Sequence, residues 1–146
     1  VSSGFTNGHE FNAQLTKFAR KIQVAPQKVV KKVAFQLFRR IIEKTPVDTG
    51  RARASWNIAI GSINPSIAPD GQHQKNPSAL AAKATTVLAG YGADGRLPAV
   101  WISNNLPYIG ELENGHSQQA PAGMLKLSIM EEEAAFNQAW REAMSR

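Results

Sequence analysis

The sequence predicts an α+β fold: N-terminal helices and a long C-terminal helix packed on a small, mainly antiparallel β-sheet. Two observations carry that expectation. Apolar residues recur at helical spacing near both ends of the chain, and two short central stretches show strand character. At 146 residues the chain has the length of one domain, 1–146, with a core that needs no staples.

The first helix is expected over 9–23, where Phe11, Leu15, Phe18 and Ile22 share one face. Ala25-Pro26 interrupts it, and Pro26 suits the first position of a second helix, 26–44. Its apolar stripe is Val30, Val33, Leu37 and Ile41, widened by Val29, Ala34 and Phe38. Lys28, Lys31, Lys32, Arg39, Arg40 and Lys44 lie mainly off that stripe. Pro46 stops the helix, because the residue before a proline disfavours the α conformation. Trp56, Ile58 and Ile60 then alternate with Asn57, Ala59 and Gly61, which predicts a half-buried strand over 53–62.

Residues 64–77 are rich in Pro, Gly, Asn and Gln and predict a long, mobile loop. "SALAAKATTVLAG" predicts a helix capped by Asn76 or Ser78, and "YGADGRLP" a turn region. "AVWIS" at 99–103 predicts a second strand, and Tyr108–Glu113 a short helical turn. From Met124, Leu125, Ile129, Phe136, Trp140 and Met144 fit a helix over 122–144. "MLKLSIM" also alternates as a strand would, but the strong helix formers of "EEEAAFNQAWREAM" favour helix.

Charge divides the chain. Residues 1–53 hold 11 Lys/Arg against 3 Asp/Glu, a formal +8, and residues 54–146 hold 6 against 8, a formal −2. The N-terminal part is therefore expected to meet something acidic: nucleic acid, an acidic protein surface, or the acidic half of a neighbouring copy. Cysteine is absent, which removes disulfides and thiolate metal sites. No apolar run approaches the roughly 20 residues of a membrane span, and "VSSGFTNGHEF" lacks the pattern of a signal peptide. Folding in a cytoplasm is the expectation.

Motifs of catalysis are weak. "GYGADG" has glycines at dinucleotide-loop positions but follows a helix and precedes a strand, the wrong context. His9, His73 and His116 are scattered and read as surface or hydrogen-bonded residues. Ser117 beside His116 has no nucleophile-elbow context. Glu111 and Glu113 would share a face in a strand, which leaves a small hydrolase using Glu111, Glu113 or His116 as one alternative. Glu131–Glu133 read as a solvated helix face. The basic helix 26–44 offers a second alternative, a nucleic-acid-binding module, although no aromatic alternates with its cations for base stacking.

"TPVDTGRARASW", Thr45 to Trp56, reads as a stiff helix-to-strand corner. Pro46 ends the helix, Asp48 is placed to bond its own backbone two residues on, and Gly50 supplies a backbone conformation closed to other residues. Arg51 and Arg53 are expected to project as cations on the way into the strand that carries Trp56.

Together with "ISNNLPYIGELENGHSQQAPAGML", this stretch resembles the neck and tail-completion family of tailed bacteriophages, small proteins of the head–tail joining region. The family's elements are a "TPVDTGxLRxSW"-like corner, a "YxxxLExG" segment and a closing "P-x-G" before the last helix. Thr45–Gly50 (with Pro46, Asp48 and Thr49), Arg53 and Trp56 match the first. Tyr108, Leu112, Glu113 and Gly115 match the second, and Pro121 and Gly123 the third. Ala52 departs from the larger aliphatic residue frequent there, and the 64–77 loop has no counterpart in the pattern. The resemblance spans the chain from about residue 11.

The resemblance implies a structural virion protein with no catalytic residue, no metal and no cofactor. It implies an oligomeric ring between head connector and tail tube. The partners would be copies of itself, connector or head-completion proteins and tail-tube or tail-terminator proteins, with genomic DNA passing through and no membrane. The related tail-terminator role stays open. Assembly is expected to set the basic helix with Arg51 and Arg53 against acidic segments at Glu111–Glu113 and Glu131–Glu133 of a neighbour. Phe136 and Trp140 belong either to that contact or to the subunit's own core.

Overall fold

The computed structural model describes residues 8–114 and 123–145, with side chains from residue 13. In chain order the elements are α1 Gly8–Ile22, α2 Pro26–Lys44, α3 Arg51–Ala54, β1 Asn57–Ile60, α4 Pro77–Leu88, β2 Val100–Ser103, α5 Ile109–Glu113 and α6 Leu125–Met144. The class is α+β, with a long C-terminal helix and one small antiparallel sheet. No described helix is long and apolar enough to cross a membrane.

Helix α2 is the centre. It opens on Pro26 at its first turn and buries Val29, Ala34, Phe38, Ile41 and Ile42. Because its apolar stripe is wide, it serves two clusters. On one side Phe38, Ile41 and Ile42 meet Trp56, Ile58, Leu88, Tyr91 and Met124. On the other, Val29 joins Leu15, Phe18 and Ala19 of α1 and Phe136 and Ala143 of α6. Phe18 and Phe136 pack with ring centroids 5.4 Å apart. Phe136 is therefore core, and Trp140 packs against the same cluster. Helix α4 is capped by Asn76, whose Oδ1 accepts from the Ser78 and Ala79 amides.

The sheet pairs Asn57 with Ser103, Ile58 with Ile102, Ala59 with Trp101 and Ile60 with Val100. It is shorter than the alternation over 53–62 predicts. The helical turn α3 takes residues 51–54, so Arg51 and Arg53 lie in a helix and Trp56 just before β1. The alternation also fails at Asn57, which is buried. Its Nδ2 donates to the carbonyls of Asn64 at 3.3 Å and Ser66 at 2.6 Å, so the following loop covers a residue that pattern alone exposes.

Candidate functional site

The corner is built around groups that the end of a helix leaves unpaired. The last carbonyls of α2 have no partner within the helix. Arg53, on the short helix α3, reaches back to them. Its Nε donates to the Thr45 carbonyl at 2.8 Å and its Nη2 to the Glu43 carbonyl at 3.1 Å, while Nη1 donates to the Lys75 carbonyl at 2.6 Å. One planar guanidinium thus joins the end of α2 to the end of the 64–77 loop. Burial holds the Arg53 pKa below its ordinary value, without threatening a charge that arginine keeps.

Thr45 closes the other side. Its buried hydroxyl donates to the Ile41 carbonyl at 2.7 Å and accepts from the Trp56 indole N–H at 2.9 Å. Trp56 therefore fills the core with its ring while its one polar atom is satisfied. Lys83 of α4 performs a similar service for α3, donating to the Trp56 carbonyl at 2.8 Å and the Ala54 carbonyl at 3.3 Å. Burial lowers the Lys83 pKa.

Gly50 has φ of 82°, in the left-handed region, and a Cβ there would stand 2.8 Å from the His73 carbonyl oxygen. Glycine is needed twice over, for the dihedral and for the space. The side-chain turn bond expected of Asp48 is made one residue later: Thr49 Oγ1 accepts from the Arg51 amide at 3.2 Å. Asp48 is exposed and has no hydrogen bond among the described residues. Nor do the arginines project. Arg51 Nε donates to the Ala68 carbonyl at 2.9 Å, and its Nη1 pairs with Asp70 at 2.8 Å. The Thr49 carbonyl accepts from the His73 amide at 2.9 Å. The 64–77 loop is thus bound to the corner from both of its ends.

The second motif block meets the first. Asn104 Nδ2 donates to the Ala52 carbonyl at 3.0 Å, and Asn104 Oδ1 accepts from the amide of buried Leu106. Tyr108 stands exposed at the start of α5. Glu113, considered as a hydrolase carboxylate, instead caps α6: its two oxygens accept from the amides of Met124 at 3.1 Å, Leu125 at 3.0 Å and Lys126 at 2.9 Å. A carboxylate at a helix N-terminus satisfies orphan donors and complements the helix dipole. Gly123, φ 86°, makes room, since a Cβ would lie 2.6 Å from the Glu113 carbonyl oxygen. Gly115, His116, Ser117 and Pro121 lie outside the described residues, as does the side chain of His9.

The acidic run of α6 is not a solvated face. Glu132 is only 2 % exposed and accepts from Arg40 Nε at 2.9 Å. Glu131 bonds Lys44 Nζ at 2.5 Å and Arg40 Nη1 at 3.3 Å. Hydrogen bonding to Lys44 holds the Glu131 carboxyl below the usual range, whereas burial pushes that of Glu132 up. Part of the charge division is therefore neutralised within the chain. Arg39 pairs with Glu43 one turn on, so three of the six cations of α2 already have carboxylate partners.

Sequence reasoning named Pro46, Gly50, Arg53, Trp56 and Glu113 but missed the Thr45 hydroxyl that links Ile41 to Trp56, Lys83, Asn104 and the Arg40–Glu132 pair. Only spatial neighbours reveal these roles. No curated protein and no solved structure matches the chain. The model of the family described as Bacteriophage HK97-gp10, putative tail-component, matches residues 9–115. That span runs from α1 to the end of α5 and contains the whole corner and Glu113. With well over half of its residues so matched, the chain belongs to this family of bacteriophage tail components.

Proposed function

We propose that the protein is a non-enzymatic tail-completion subunit of the phage neck, one member of a ring that joins the head connector to the tail tube. Family membership over 9–115 is the observation that carries this reading. The use of the motif residues supports it. Arg51, Arg53, Trp56 and Glu113 all hold loops and helix ends in place, as suits a part whose work is to keep a shape. The nucleic-acid alternative is weakened, because Arg39, Arg40 and Lys44 are paired with carboxylates of the same chain. We read the chain as a single domain, and infer that the tip of the 64–77 loop gains order when the neck assembles.

The test is a phage genome in which this reading frame carries a stop codon. The expected lysate contains filled heads and full-length tails that do not join, and purified protein restores joining. Imaging of the intact particle should locate the subunit between connector and tail tube. Joined, infectious particles without the protein would end the proposal. Tails of uncontrolled length would move it to the tail-terminator role.

A further inference from the structure

An apolar groove of about 450 Å³ runs between α1, α2 and α6, floored by Phe18, Ile22, Val33 and Phe136. Lys28 and Lys32 stand on its wall one helical turn apart, both exposed. Lys32 feels the nearby Glu132 carboxylate, but that carboxylate is hydrogen-bonded to Arg40. Neither lysine's ammonium makes a hydrogen bond or ion pair among the described residues. The groove therefore asks for an apolar or aromatic anchor with a carboxylate beside it.

The same chain presents that combination elsewhere. Tyr108, 39 % exposed, and Glu111, also exposed, lie three residues apart at the start of α5, so they face one way. Many of the other acidic groups are engaged: Glu113 on the α6 amides, Glu131 and Glu132 on Arg40 and Lys44, Glu43 on Arg39, Asp70 on Arg51. Among the described residues Asp48 and Glu133 are not, but neither has an exposed aromatic residue within four positions. Helix α5 rests on the cluster around Trp56, whereas the groove belongs to the cluster around Phe18. They are different patches.

We infer that the occupant of the groove is α5 of a second copy, with Tyr108 in the apolar floor and Glu111 between Lys28 and Lys32. Two unlike patches in contact repeat head to tail, which is the geometry that closes into rings. Aromatic anchors in apolar pockets supply affinity, and the charge pair sets register. This deepens the ring proposed above and rests on that reading.

Sedimentation of the purified full-length chain tests it, with circular dichroism to verify folding. Wild type should form species larger than a dimer. The double variant Lys28→Glu, Lys32→Glu, and separately Glu111→Lys, should weaken self-association on the order of tenfold or more while staying folded. Tyr108→Ala should weaken it as well. Mixing the two charge variants, or combining all three changes in one chain, should restore assembly. Overturning results are a monomeric wild type, charge variants that assemble as wild type does, or reversal without rescue. A contact that passes in a protein absent from the neck of imaged particles would refute the neck reading alone. A neck ring indifferent to these changes would refute the contact alone.

Discussion

A left-handed glycine is the residue on which the corner turns. Gly50→Ala meets both the dihedral penalty, about 1–2 kcal/mol, and the His73 carbonyl 2.8 Å from the new Cβ. Thermal melts should place it well below wild type. Gly71→Ala, with none of the described residues within 4 Å of its Cβ, bears only the dihedral penalty of φ 115° and should melt higher than Gly50→Ala. Ser128 gives a change of the opposite sign. Its hydroxyl is buried with no partner among the described residues, so Ser128→Ala should raise stability by about 1 kcal/mol in denaturant titration. At this scale the sequence revealed proline, glycine and tryptophan roles, because each follows from covalent geometry or size. It did not reveal whether Asp48 or Thr49 makes the turn bond, since either side chain has the chemistry and only the final dihedrals choose.

Between elements, α2 and α6 are joined by Arg40, Lys44, Glu131 and Glu132. Glu132→Ala leaves Arg40 with Glu131 as its remaining carboxylate partner and should cost about 1–3 kcal/mol, and Glu131→Ala, more exposed, about 1 kcal/mol or less. The two carboxylates also answer acid differently. The folded-state pKa of Glu131 is lowered, so its stabilisation is complete above the ordinary carboxylate value and is lost as pH falls through the lowered one. That of Glu132 is raised, so its native form takes up a proton before the unfolded chain does, and its contribution grows as pH falls from the folded to the ordinary value. Melting temperature should therefore fall less steeply with acid in Glu131→Gln and more steeply in Glu132→Gln. Periodicity placed α1, α2 and α6 to within a few residues, since their apolar faces are continuous, and alanine-rich composition with a cap placed α4. It could not see this pairing, because residues 40 and 132 meet only once both helices have docked.

Over the whole molecule, the corner holds the 64–77 loop at its shoulders and leaves its tip outside. The Ala68 amide donates to Ser55 Oγ at 3.0 Å and the His73 amide to the Thr49 carbonyl, while Asp70, with a side chain 93 % exposed, is held only by its charge. Hydrogen exchange of the free subunit should protect the amides of Ala68 and His73 far more than those of 70–72, and Arg53→Ala should erase much of the difference. The sequence's composition marked the segment as a loop, and it said nothing of these anchors, which come from residues 13 to 24 positions away. The clamp makes the outermost residues a natural place for foreign sequence. The backbone enters and leaves a short, fixed bracket, and no atom of the described residues lies within 4 Å of where a Gly71 Cβ would stand. An epitope or affinity tag inserted after Gly71 would be carried outward without loading the fold, so particles bearing it would hold a chemical handle at whatever level of the virion the subunit occupies.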